Sequence, residues 1–92
     1  MNQILKYPLE IKDDVEIEMT KYSSIVDIQY KNGHPHIWAL TDPASFEKFI
    51  YKFKIFGTGM IFDLPNDYAF VKTIHNDITG YVWHIFVKDE PQ

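Results

Sequence analysis

Polar and apolar residues alternate along much of this chain, which is the pattern of half-buried β-strands. Residues 14–19 show it most strictly, with every second side chain apolar. Pro8 interrupts the first such segment and indicates a strand edge or a bulge, because proline cannot donate to a β-ladder. Strands are predicted at residues 4–11, 14–19, 24–31, 36–41, 68–74 and 81–87, with a further strand ending at Phe56.

The clearest local prediction is a hairpin between residues 24–31 and 36–41. The Asn32-Gly33 pair between them favours the positive φ angles of a tight turn. Pro35 follows almost at once, so we expect it to lengthen the loop.

Two periodicities overlap after the hairpin. Asp42-Pro43 is a typical helix start, and apolar residues at positions 46, 49, 50 and 53 have helical spacing. Positions 51, 53 and 55, however, alternate with Lys52 and Lys54 as in a strand. We therefore predict a short helix of about two turns from Pro43, followed by the strand that ends at Phe56.

The predicted fold class is mainly β: a small antiparallel sandwich or half-open barrel with about six or seven strands and one short helix. Residues 1–92 are expected to form a single domain, since a chain of 92 residues leaves no room for a second. The polar tail at 88–92 is expected to fray. Apolar strands in so small a chain leave exposed edges, so we expect a homo-oligomer, a dimer or higher.

Composition and charge exclude several classes of protein. The chain has 13 acidic residues against nine lysines and no arginine, a formal net charge of -4, which argues against general nucleic-acid binding. It has no cysteine, which excludes disulfides, thiolate metal sites and cysteine nucleophiles. Its apolar runs are far too short to span a membrane, and it has no signal-like segment, so a cytoplasmic protein is expected.

Sequence landmarks along nearly the whole chain carry a resemblance to a known family. They are KYPL at 6–9, WAL at 38–40, FGTG at 56–59 and VWHIF at 82–86. In these the chain resembles a family of short, mostly uncharacterised proteins encoded by bacteriophages and prophages. It departs from the family pattern at Lys52 and Lys54, where the family favours arginine. The resemblance implies a phage origin and a place in the host cytoplasm, and it implies no established activity.

The candidate ligand site lies where the predicted strand that ends at Phe56 meets a glycine turn. Backbone amides of Gly57-Thr58-Gly59 and the Thr58 hydroxyl are groups that bind anions, although the same residues also fit a plain strand-ending turn. Just before them, Lys52 and Lys54 share one strand face, where they either hold a phosphate or are simply solvated.

Two further residues complete this candidate site. Tyr51 is a candidate for stacking on a base. His84 is either a polar donor among aromatic side chains or a hydrogen-bonded core histidine.

No catalytic or metal site is predicted. His34 and His36 flank Pro35 beside a turn, but no further ligand stands out, so we predict no metal and no cofactor. None of the serines has a nucleophile-elbow context, and no spaced pair of acids suits acid–base chemistry. A non-enzymatic protein is expected.

The leading functional hypothesis is a phage-encoded, non-catalytic protein that binds a small ligand. In its sharpest form it is an anti-defence sponge that sequesters a nucleotide immune signal. The alternatives are an inhibitor that covers a host protein with an acidic, aromatic sheet face, and a virion assembly module.

Overall fold

The fold is built from seven β-strands, without a helix, in residues 1–89, which the computed structural model describes. The prediction of six or seven strands is confirmed. The expected fraying of the tail falls mostly on residues 90–92, which lie outside the described residues. No described helix is long and apolar enough to cross a membrane. The strands are β1 (Gln3–Pro8), β2 (Asp14–Thr20), β3 (Ser24–Lys31), β4 (His34–Thr41), β5 (Lys48–Gly57), β6 (Tyr68–His75) and β7 (Val82–Lys88).

The strands form two antiparallel sheets. The three-stranded sheet has the order β1-β4-β3, and the four-stranded sheet has the order β2-β5-β7-β6. The two sheets contribute to one hydrophobic core and do not close into a barrel. The Cα atoms span only 15 Å along the shortest axis, which fits two stacked sheets about 10 Å apart.

Side chains that alternate in direction along the strands build the core, since every second one points inward. In β5, Tyr51, Phe53 and Ile55 point inward, whereas Lys52 and Lys54 point away from the core. The opposite sheet supplies fully buried side chains from β3 and β4. The buried residues drawn from both sheets are Val15, Met19, Ile28, Ile37, Ala39, Tyr51, Phe53, Ile55, Ile74 and Ile85.

The two sheets meet along β3 and β6, and an ion pair joins them there. Strand register is irregular between Ile25 and Asp27 in β3, and between Phe70 and Lys72 in β6. Asp27 follows the irregularity in β3 and Lys72 follows the one in β6, and these two residues form the ion pair. The hydrogen bond from Lys72 lowers the pKa of Asp27 against the opposing effect of burial, and the Ile28 amide lowers it further. The bulges therefore aim two side chains across the sheet edges.

The predicted β3–β4 hairpin is confirmed, with a shorter loop than expected. Asn32 (φ 54°) and Gly33 (φ 81°) form a two-residue turn, and Lys31 pairs directly with His34. Both positive φ angles suit the right-handed twist of the hairpin. Pro35 does not lengthen the loop but lies within β4, where its carbonyl accepts the Leu9 amide at 3.0 Å.

The predicted helix after Pro43 is wrong. Asp42 does accept the Ala44 amide at 2.9 Å, but the segment makes a single turn and then enters β5 at Lys48. Residues 48–54 pair with residues 20–14 of β2, so the strand alternation prevails over the helical spacing. Phe46, which would have started the apolar helix face, is 90% exposed.

Candidate functional site

The outer face of the four-stranded sheet, the side turned away from the shared core, holds most of the predicted site. Lys52 and Lys54 lie on this face, opposite Glu16 and Asp14 of β2 in the strand register. The Lys54 Nζ lies 2.6 Å from Asp14 Oδ1 and 5.4 Å from the ring centre of Tyr68. The hydrogen bond to Asp14 raises the pKa of Lys54, opposed by desolvation. Lys54 is therefore already paired, and an incoming phosphate would have to compete with Asp14.

Tyr51 lies on the other side of the sheet and is only 7% exposed. Its hydroxyl accepts the Ser23 amide at 3.0 Å and donates to the Thr20 carbonyl at 3.0 Å. These bonds tie the turn between β2 and β3 to β5. The Tyr51 side chain thus points to the opposite side of the sheet from those of Lys52 and Lys54.

Gly57-Thr58-Gly59 forms a turn whose amides are largely in use. The Thr58 amide donates to the Val82 carbonyl at 3.4 Å, and the Gly57 amide points to Met60 Sδ at 3.1 Å. The Met60 amide donates back to the Gly57 carbonyl at 3.2 Å. Gly59 has φ 90°, which an L side chain rarely adopts. These hydrogen bonds stabilise the turn itself, so the Gly57 and Thr58 amides are not free to bind an anion as predicted.

His84 and Thr58 are in direct contact, together with a residue that the sequence did not single out. The Thr58 Oγ1 lies 2.7 Å from His84 Nε2, and the Thr73 Oγ1 lies 2.9 Å from His84 Nδ1. Both hydroxyls come from strands or turns that flank β7, so the imidazole is bracketed on both sides. We call Thr58, Thr73 and His84 the hydroxyl–imidazole cluster.

An aromatic cluster lies on the same face between Lys54 and His84. Phe62, from the β5–β6 loop, stacks on Phe56 with ring centres 3.6 Å apart and planes 5° apart. Phe86 meets the Phe56 ring edge-on at 5.9 Å and the Phe70 ring at 5.6 Å. Phe56 is only 8% exposed although it faces away from the core, because Phe62 covers it. In β7, the unbroken apolar run at 85–87 is the sequence pattern of a strand that is covered on both faces.

Large apolar side chains are exposed on β6 and on the loop that carries Phe62. Ile61 is 100% exposed, and Phe70 is 58% exposed. We call this set the outer apolar surface; it consists of Ile61, Phe62, Leu64 and Phe70. Three of its four members come from the loop that joins β5 to β6.

The cavities of the structure include only part of the predicted site. One, of about 480 Å³, opens between β3 and β6 and includes Tyr30, Lys72 and His75. Another, of about 280 Å³, is lined by two predicted site residues, Tyr51 and Lys52, together with Ile50 and Lys88. Neither includes Lys54 or Thr58. Within residues 1–89, no group of three or more His, Cys, Asp or Glu side chains is arranged to hold a metal ion.

The protein is thus a two-sheet, all-β protein. The outer face of its four-stranded sheet carries charged residues, the aromatic cluster and the hydroxyl–imidazole cluster. The chain belongs to the family described as Domain of unknown function (DUF7352), which matches residues 1–92. No curated protein and no solved structure matches the chain. The resemblance is therefore confirmed at the level of an uncharacterised family.

Proposed function

We propose that this protein is a non-catalytic binding protein that docks onto a partner protein through the outer apolar surface. The observation that carries this proposal is the complete exposure of Ile61, whose chain neighbour Phe62 is 40% exposed and stacks on Phe56. Large exposed apolar side chains, where they form a patch, mark interaction sites on soluble proteins. Phe is also enriched where protein interfaces are most buried.

The geometry favours a protein over a nucleotide at this face. A small-molecule site is concave and covers most of its ligand, whereas the fully exposed Ile61 side chain projects from a loop. The amides of Gly57 and Thr58 already have acceptors, and Lys54 is bonded to Asp14. A nucleotide at Lys52, Lys54 and Thr58 is thus the competing hypothesis.

The biological setting is part of the proposal. The resemblance to phage and prophage proteins supports a phage-encoded inhibitor that acts in the cytoplasm of a bacterial host, against a defence or replication enzyme. Sequestration of a nucleotide immune signal would be the function if the nucleotide hypothesis holds. A second copy of this chain is the partner if the protein is a homo-oligomer or an assembly module.

A matched pair of variants tests the proposal. Ile61→Glu places a charge in the outer apolar surface, whereas Ile78→Glu places one on the β6–β7 loop, where Ile78 is 84% exposed. Both should fold normally, because neither side chain is buried. We expect wild type and Ile78→Glu to capture the same stoichiometric protein from a bacterial lysate, and Ile61→Glu to lose it. Equal capture by both variants would contradict the proposal.

Melting temperature and light scattering separate the competing hypotheses. A nucleotide at 100 times its Kd should stabilise the protein by about 2.7 kcal/mol, a shift of roughly 10 °C or more in a domain of this size. Such a shift, unchanged in Ile61→Glu, would favour the nucleotide. A wild-type oligomer that Ile61→Glu converts to a monomer would identify the partner as a second copy.

A further inference from the structure

We propose that this chain forms a symmetric dimer in which strand β1 pairs with β1 of a second copy, antiparallel and centred on Leu5. β1 is an outer strand of the three-stranded sheet, with β4 on one side only. The surface lies on the other sheet from the outer apolar surface, so the inference does not rest on the proposed function.

The backbone of β1 presents hydrogen-bonding groups along its free edge. In an antiparallel ladder, only every second residue of a strand bonds to a given neighbour. The Leu9 amide donates to the Pro35 carbonyl at 3.0 Å and continues the β1–β4 register, so the odd-numbered residues of β1 bond to β4. The amides and carbonyls of Ile4 and Lys6 therefore point away from β4, toward the free edge.

The other edges of the two sheets are less suited to pairing with themselves. β3 and β6 meet each other, where the ion pair described above joins the two sheets. β2 carries exposed carboxylates at alternate positions, Asp14, Glu16 and Glu18, and two β2 strands side by side would bring these like charges together. β1 carries one charged side chain, that of Lys6. Among the sheet edges within residues 1–89, β1 is therefore the edge that fits a second copy.

One register of the β1 pair accommodates a lysine and a proline, the residue types that commonly protect sheet edges. With Leu5 opposite Leu5 of the second copy, Ile4 of each copy lies opposite Lys6 of the other. Each such pair exchanges both backbone hydrogen bonds, which gives four bonds by symmetry. Pro8, which has no amide to donate, lies beyond these bonds. A shift of two residues in one direction would place Lys6 opposite Lys6, and the reverse shift would leave only the Ile4 pair within the strands.

The same register covers apolar side chains on both faces of the sheet. On the outer face, Ile4 is 56% exposed and lies beside Leu40 of β4. On the inner face, Tyr7 packs against the hydrophobic core, whereas Leu5 is half-buried and, within residues 1–89, belongs neither to that core nor to the side chains packed against it. In the dimer the two Leu5 side chains face each other across the two-fold axis, and Ile4 lies against the aliphatic chain of the opposite Lys6.

Sedimentation of the untagged, purified chain over a wide range of concentrations tests for the dimer. The edge of a six-residue strand is smaller than a standard interface of about 800 Å² per partner, so we expect a dimer that dissociates on dilution. Hydrogen exchange at the Ile4 and Lys6 amides should slow as the concentration rises, because these amides are the donors in the dimer. The Leu5 and Tyr7 amides, which bond to β4, should be protected at every concentration.

A matched pair of proline variants locates the interface. Lys6→Pro removes one edge amide from each copy and spares the β1–β4 ladder, as Pro8 already does two residues further along. The loss of two hydrogen bonds should raise the dimer Kd about tenfold or more. Glu16→Pro is the control: the Ile55 amide donates to the Asp13 carbonyl, so the even-numbered residues of β2 also point to a free edge. Its Kd should equal that of wild type, and melting curves check that both variants fold.

Substitutions of the exposed Ile4 test the register. Ile4→Lys places like charges opposite each other at two positions in the dimer, whereas Ile4→Glu places opposite charges there. Ile4→Glu should therefore dimerise at least about fivefold more tightly than Ile4→Lys. Combination with Lys6→Glu should reverse this order.

Three results would overturn the proposal. The first is a chain that stays monomeric up to millimolar concentrations. The second is equal dimerisation by wild type and Lys6→Pro, or equal weakening by Lys6→Pro and Glu16→Pro. The third is an order of the Ile4 variants that Lys6→Glu leaves unchanged. Ile61→Glu should keep this dimer, so loss of partner capture through Ile61 and loss of dimerisation through β1 can be told apart.

Discussion

Replacing Tyr51 with phenylalanine should lower the stability of the fold and leave binding unchanged. The Tyr51 hydroxyl is buried and bonds to the Ser23 amide and the Thr20 carbonyl, both at 3.0 Å. Loss of a partner for a buried polar group costs about 1–3 kcal/mol. Here the low end applies, because the Thr20 carbonyl still accepts hydrogen bonds from the Ser23 amide at 3.2 Å and from the Ser23 Oγ at 2.6 Å. We therefore expect a loss of about 1 kcal/mol.

Urea unfolding followed by tryptophan fluorescence measures this effect. A loss of about 1 kcal/mol corresponds to a fall in melting temperature of about 4–8 °C for a domain of this size, with an unchanged m-value. Tyr81→Phe is the matched control: Tyr81 is 63% exposed, and its stability should stay within about 0.5 kcal/mol of wild type. If Tyr51→Phe kept wild-type stability but lost partner or nucleotide binding, Tyr51 would belong to the binding site and this reasoning would be refuted.

Three further variants test the ion pair, the turn and the stack. Asp27→Asn should cost about 1 kcal/mol or less at neutral pH by unpairing Lys72. The pKa of Asp27 is lowered in the fold, so its contribution to stability is complete above the ordinary value of about 3.9. That contribution is lost as the pH falls through the folded-state pKa. The stabilities of the variant and of wild type should therefore converge in acid. Gly59→Ala should cost about 1–2 kcal/mol in urea unfolding, all of it from backbone strain, since no atom lies within 4 Å of the added Cβ. Phe62→Ala should cost about 1–2 kcal/mol and should speed hydrogen exchange at Phe56.

Local patterns predicted the strands well because each strand is half-buried and its alternation is visible in a short window. The Asn32-Gly33 turn is specified by two neighbouring residues and needs no knowledge of the rest of the chain. The segment after Pro43 is different, since both periodicities are present in the sequence. The choice depends on β2, which lies about 30 residues earlier and supplies the ladder for residues 48–54. A single-sequence pattern does not contain that partner.

The same limit applies to the candidate site. Alternation along β5 already implied that Tyr51 and Lys52 face opposite sides, so this separation was readable from the sequence. The contact between Thr58 and His84 was not readable from the sequence, because it depends on the pairing of β5 with β7. The position of β6 on the other side of β7 was not readable either. Thr73 reaches the cluster only through this strand order. Non-local pairing therefore decides which polar residues act together.

The outer apolar surface separates residues that the fold needs from residues that it does not. Phe62 stabilises the structure by covering Phe56, so its apolar character has a folding explanation. Ile61 is fully exposed and buries nothing, and an exposed isoleucine lowers solubility without adding stability. Its side chain gains a favourable contact only if something else covers it. Ile61 therefore supports a docking surface more strongly than the aromatic rings do, and Ile61→Glu is the variant in which folding and binding are best separated.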